Sequence, residues 1–173
     1  MSAERVPVVR SFAPIADVSA RVLILGSMPG IESLRAGQYY AHPRNAFWRI
    51  MGDLVGASPD MPYVARTRRL KITGIALWDV LAACARVGSL DAAIDERSII
   101  ANDLVSFLAR RPGIHHVFFN GATAERCFRV HVQPALETGA LKLLRLPSTS
   151  PAHAARSYAD KLCAWRAILK PLK

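Results

Sequence analysis

Arg21-Val22-Leu23-Ile24-Leu25 runs straight into Gly26-Ser27-Met28-Pro29-Gly30. An apolar run of this length, closed by glycine and proline, is the pattern of a strand covered on both faces that ends in a tight turn. Three further runs share the design. Ile75 to Trp78 (IALW) is followed by Asp79, His116 to Phe119 (HVFF) by Asn120-Gly121, and Leu141 to Leu146 (LKLLRL) by Pro147-Ser148-Thr149-Ser150-Pro151. Helix-like stretches lie between and after them: Phe47 to Val55, Asn102 to Ala109, Ala122 to Val130, and a closing segment Tyr158 to Leu169 that sets Ala159, Leu162, Trp165 and Leu169 on one face. Strands that alternate with helices predict an α/β fold, a three-layer α/β/α arrangement around a central, mainly parallel four-stranded sheet. In such sheets ligands gather beyond the carboxyl ends of the strands, so the residues that follow each run are the ones to read for chemistry.

The rest of the sequence bounds that reading. With 173 residues, 51% of them hydrophobic, the chain suits one domain over 1–173 with a core that needs no staples. Cys84, Cys127 and Cys163 are odd in number and far apart. They form neither a disulfide framework nor a metal-binding pattern and read as small core residues, and no metal or cofactor is expected. The adjacent His115 and His116 point to opposite faces of a strand and do not converge on one ion. Residues MSAERVPVVR carry no secretory apolar stretch, and no run approaches the roughly 18 to 20 apolar residues that cross a bilayer, so a soluble, cytoplasmic protein without membrane contact is expected. Twenty-three Lys and Arg against thirteen Asp and Glu give a formal charge of +10. That balance favours a polyanionic partner, with nucleic acid first.

Two of the loops narrow the chemistry. Gly26 to Gly30 is neither a Walker loop, since no Gly-Lys-Ser/Thr follows, nor a G-x-G-x-x-G fingerprint. It offers backbone N–H groups, Met28 and the Ser27 hydroxyl at the sheet rim. Gly37 to Trp48, GQYYAHPRNAFW, gathers two tyrosines, a histidine, an arginine and an asparagine just before a helix start. An aromatic ring there can stack on an extruded base, and an amide can hold a water or read a base edge. Phe47 and Trp48 read as core anchors of that loop.

Together, "GSMPG" and "YYAHPRNAFW" resemble the uracil-DNA glycosylase superfamily, near its mismatch-specific members, whose pattern is a Gly-x-Asn-Pro-Gly turn followed by an aromatic-x-x-Pro-x-Asn-x-Phe-Trp loop. Ser27 stands where those enzymes carry a catalytic asparagine. That departure, with "GIALWDVLAACARVGSLDAAI" (Gly74 to Ile94) and "LPSTSPAHA" (Leu146 to Ala154), resembles most the hypoxanthine-DNA glycosylase branch. The likeness spans about residues 21 to 169.

The resemblance implies hydrolysis of the N-glycosidic bond of deaminated bases in DNA, hypoxanthine first and uracil second, by a monomer without cofactor. A uracil or mismatch-specific glycosylase and a non-catalytic lesion-binding domain are the alternatives. With Ser27 in the position of the usual amide, the water-orienting duty passes to Asn45, and Ser27 takes a supporting part. Tyr40 aligns with the residue that stacks on the flipped base, with Tyr39 beside it as the other choice. Asp79 follows the second strand, where uracil-specific relatives place an asparagine. It can accept N1–H of hypoxanthine while a backbone N–H of the Ser27–Met28 turn serves O6, but Asp-Val-Leu equally reads as a helix N-cap. Asn120 reads as a cap on the following helix, with base contact as its second option, and Gly121 as the point of close approach. The final loop resembles the family's DNA clamp: Ser148, Thr149 and Ser150 would meet phosphates, and either Ala152 or His153 would act as a wedge. Arg44 is a candidate phosphate contact, as are Lys142, Arg145, Arg156 and Lys161. No strand-end motif contains a lysine, which argues for a monofunctional enzyme without lyase chemistry.

Overall fold

The computed structural model describes residues 6–173. Strand β1 (Val8–Arg10) is followed by β2 (Val22–Gly26), α1 (Ile31–Ala36), α2 (Phe47–Val55), α3 (Tyr63–Ile72), β3 (Ile75–Asp79), β4 (Leu81–Arg86) and β5 (Ile94–Ala101). The chain continues through α4 (Leu104–Ala109), β6 (His116–Asn120), α5 (Ala122–His131), β7 (Lys142–Leu146) and α6 (Tyr158–Trp165). The central sheet has the order β3-β2-β6-β7, all parallel. This is the four-stranded parallel sheet between helices that the alternation of runs predicts.

Period-two burial explains the layers. Val22, Leu23, Ile24 and Leu25 are all fully buried, yet they serve different cores. Leu23 and Leu25 join Val117, Phe119, Leu104 and Phe128 on one face; Val22 and Ile24 join Ile75, Leu77, Phe47, Met51 and Trp165 on the other. A strand whose two faces are both occupied needs a covering layer on each side. Helices α4 and α5 supply one, and α2, α3 and α6 supply the second. Burying each such Val, Leu or Ile contributes about 1.5–3 kcal/mol.

Several elements depart from the sequence expectations. A second sheet, antiparallel in the order β1-β4-β5, lies against the α4/α5 core and was not anticipated. Its β4 reads Leu-Ala-Ala-Cys-Ala-Arg, an alanine-rich string with helical propensity that tertiary pairing overrides. Helix α4 starts at Leu104 rather than Asn102, because Asp103 takes the N-cap position and accepts from the Ser106 amide at 3.0 Å. Strand β7 is an edge strand whose Lys142, Leu144 and Arg145 are exposed, not the buried strand expected. In the closing segment Ala159 is exposed and Ile168 is buried with Trp165. There α6 tightens into a 3-10 turn over Arg166–Leu172, which brings i and i+3 onto one face. Cys84 and Cys127 are buried as expected, whereas Cys163 is exposed. Among the described residues no helix is long and apolar enough to cross a membrane.

Candidate active site

Strands β2, β3 and β6 end side by side, with Gly26 opposite Asp79 in the register. The loops that leave those ends enclose a cleft of about 420 Å³, within the range of small-ligand sites. Ser27, Met28, Tyr40, Asn45, Asp79, Asn120, Ser148, Thr149, Ser150, Ala152 and His153 all line it. Arg44 is exposed and lies off its wall.

The turn after β2 is stitched to the segment that follows β3. Carbonyls of Gly26 and Ser27 accept from the amides of Val80 and Leu81 at 2.9 and 3.2 Å. The Ser27 hydroxyl donates to Asp91 Oδ1 at 2.8 Å. Asp91 opens a 3-10 turn (Asp91–Ala93) between β4 and β5, so the unanticipated sheet brings a carboxylate to the cleft. Behind the turn, the buried Arg86 donates to the Pro29 carbonyl, while its Nε and the second terminal nitrogen find no partner.

Asn45 sits at the head of α2. Its Oδ1 accepts from the Phe47 amide at 2.9 Å, and its own amide donates to His42 O at 2.9 Å. The Asx turn fixes the side chain on the cleft wall and leaves one Oδ1 lone pair and the Nδ2 hydrogens for a ligand. Phe47 and Trp48 are the core anchors expected, the Trp48 indole donating to Tyr39 O at 2.8 Å. Of the two tyrosines, Tyr39 is buried against Phe12. Tyr40, in a left-handed backbone conformation (φ 54°), stacks on Phe47 with centroids 4.1 Å apart and lines the cleft. Its hydroxyl is buried without a partner, and burial raises its pKa above the usual range, so it stays neutral.

Asp79 is 3% exposed. It caps no helix: Val80 leads directly into β4, so the N-cap reading is corrected, because the alanine-rich Leu81–Arg86 pairs as a strand with β1 and β5. Its Oδ2 has no partner, and a Cβ placed on Gly26 would lie 2.5 Å from Oδ1 and 2.9 Å from the Tyr40 hydroxyl. Only glycine fits between them. Burial pushes the Asp79 carboxyl up to about 8, the nearby Asp91 carboxylate pushes the same way, and Arg86 opposes.

The Asn120 cap is a second correction. Gly121 holds the N-cap position of α5 at φ 94°, without a side-chain cap bond. Both ends of the Asn120 amide instead grip Thr149: Nδ2 donates to Oγ1 at 2.9 Å and Oδ1 accepts from the Thr149 amide at 2.9 Å. Gly121 does permit the close approach expected of it, since a Cβ there would meet Ser148 Cβ at 3.0 Å. Thr149 is therefore buried, its Oγ1 accepting from Asn120 and its O–H without an acceptor among the described residues. Ala46 N donates to Thr149 O at 3.0 Å and the Trp165 indole to Pro147 O at 2.9 Å. Lys161, expected on phosphates, is buried and donates to His153 O at 2.8 Å. Leu146 is buried in the α2/α6 core, whereas Ala152 and His153 stand exposed at the loop tip. Arg126 of α5, unanticipated, also lines the cleft and pairs with Glu96.

Comparisons with known proteins agree with this geometry. The family model described as "Uracil DNA glycosylase superfamily" matches residues 13–172. A protein of Methanosarcina acetivorans named hypoxanthine DNA glycosylase is 35% identical over 162 residues, covering 93% of this chain and 98% of its own. A Methanosarcina barkeri protein of the same name is 39% identical over 113 residues, covering 65% of this chain and 70% of its own. A solution NMR structure of a candidate uracil DNA glycosylase from M. acetivorans superposes with a TM-score of 0.75 at 33% identity, over 94% of this chain and 99% of that one. With its parallel sheet, its strand-end cleft and a family match over almost its whole length, the chain belongs to the uracil DNA glycosylase superfamily.

Proposed function

We propose that this chain is a monofunctional DNA glycosylase that takes a deaminated base out of the duplex and hydrolyses its bond to the sugar, with hypoxanthine as first substrate and uracil as second. The observation that carries the reading is the placement of Asn45, fixed by the Phe47 amide yet on the wall of the same cleft that holds Tyr40 and Asp79. The relatives named hypoxanthine DNA glycosylase supply the base preference.

As the glycosidic bond breaks, the sugar gains oxocarbenium character and the base gains negative charge. Catalysis needs a positioned water at the anomeric carbon and polar groups at the base. The second lone pair of Asn45 Oδ1 orients that water. Tyr40 presents a ring already stacked on Phe47 for an extruded base to lie against, worth about 1–3 kcal/mol. Asp79 addresses the lactam edge, with the Ser27–Met28 turn beside it. Ser148 and Ser150 accept backbone N–H bonds through their hydroxyl oxygens, which keeps each O–H available to a phosphate. Ala152 or His153, both exposed at the loop tip, enters the emptied stack, and Arg44 meets the DNA backbone.

The test is single-turnover base release from duplexes carrying inosine, uracil or xanthine. Inosine is expected to react fastest and to leave an abasic site, and Asn45→Ala to lower the rate by about 10²–10³-fold while DNA affinity holds. Lesion binding without release from any of the three would replace the enzyme with a lesion-binding domain.

A further inference from the structure

Asp79 is a carboxyl group for which the fold provides no ionic partner. It is buried, lines the cleft, and leaves Oδ2 without a hydrogen bond. The titratable and charged groups that face it are Tyr39 and Tyr40 from the loop before α2, Tyr63 of α3, Arg86 of β4 and Asp91 of the 3-10 turn. The three tyrosines are neutral. Arg86 forms no ion pair with Asp79 among the described residues and turns a terminal nitrogen to the Pro29 carbonyl. Asp91, held by the Ser27 hydroxyl, adds a like charge. An ionised carboxylate in that place would be desolvated, without an ion pair and repelled by Asp91, which outweighs the attraction of Arg86; a carboxylic acid avoids these costs.

We propose that Asp79 enters the reaction as the neutral carboxylic acid, pairs edge-on with a lactam base and passes its proton to the exocyclic oxygen as the glycosidic bond breaks. This deepens the glycosylase reading and rests on it. The complementarity is two-point. The carbonyl oxygen of the acid accepts N1–H of hypoxanthine or N3–H of uracil, and its O–H donates to O6 or O4. The Tyr40 hydroxyl, without a hydrogen-bond partner, lies on the same side of Gly26 as Asp79 Oδ1. In the step, the C1′–N bond breaks and its electron pair moves onto the base. The Asp79 proton goes to the exocyclic oxygen, so a neutral base departs. Water oxygen bonds to C1′, the proton it loses goes to solvent, and Asp79 is reprotonated from solvent. Asp91 is a positioning residue here, keeping the acid neutral through its charge.

The experiment is the pH profile of single-turnover release from inosine DNA by wild-type protein and by Asp79→Asn, with affinity for a non-cleavable inosine analogue measured alongside. The amide keeps a donor and an acceptor on the same edge but transfers no proton. The wild-type rate should fall as pH rises through about 8. The variant should be slower by about 10²–10⁴-fold, bind the analogue within a few-fold of wild type, and lose that limb, keeping only the decline at higher pH where the lesion base itself ionises. A variant as fast as wild type, a limb near pH 8 that persists in it, or affinity lost in step with rate in a folded variant would each overturn the acid role. Wild-type protein that releases no base from any lesion would remove the glycosylase reading as well; release without the limb removes this proposal alone.

Discussion

At the residue scale, the site is built by pairs in which one member holds the other. Phe47 fixes Asn45, Asp91 holds Ser27, and Asn120 grips Thr149. Asp79 is the exception, and its isolation has a cost that stability measurements can read. From the ordinary carboxyl value of 3.8 in the unfolded chain, burial pushes its pKa up to about 8 in the folded one. Between those values the folded state binds the extra proton, so stability is full below the lower pKa and is lost as pH rises through the upper one. Asp79→Asn removes the linkage. The variant is expected to melt above wild type at pH 8, and the gap should close as pH falls towards 4. Melting curves across that range check it; a gap that does not change with pH would mean that Asp79 is ionised throughout. The sequence made Asp79 a suspect because it follows a strand. It did not reveal that the next segment pairs as a strand, since Leu81–Arg86 carries helix-forming alanines and its β preference comes from neighbours distant in sequence.

At the element scale, what was legible follows from which elements carry their own periodicity. Helix α2 matches the expected Phe47 to Val55 because its buried residues, Phe47, Trp48, Ile50, Met51 and Val55, repeat at helical spacing. Helix α3 shows little periodicity in the sequence because Leu70 alone of its residues is buried and its face is arginine-rich. Asp91 was invisible for a related reason: it reaches the cleft through a sheet whose strands the sequence did not announce. The loop after β7 shows how elements cooperate. It is held from β6 by Asn120, from the start of α2 by Ala46 and from α6 by Trp165. Trp165→Phe keeps a ring in the core and orphans the Pro147 carbonyl, so a loss of about 1–3 kcal/mol is expected in chemical denaturation. Weaker lesion-DNA affinity should accompany it. Unchanged affinity in the destabilised variant would show that α6 supports the fold without setting the loop.

At the scale of the whole molecule, a formal charge of +10 and a cleft rimmed by hydroxyls divide the labour between long-range attraction and short-range fit. DNA affinity should fall linearly in log–log form with salt, and Arg44→Ala should lower the slope by about 1 if that side chain meets one phosphate. Titrations at several salt concentrations check both; a slope untouched by the substitution would place Arg44 off the DNA. The loop after β7 also bears on which partner yields when DNA is bound. Because three neighbouring elements set its shape within the folded chain, little of its freedom remains to be surrendered on encounter, and the duplex is left to do the bending. Sequences and lesions that soften base stacking would then be captured sooner than stiff ones, so that the search for damage is also a survey of how readily each step of the helix gives way.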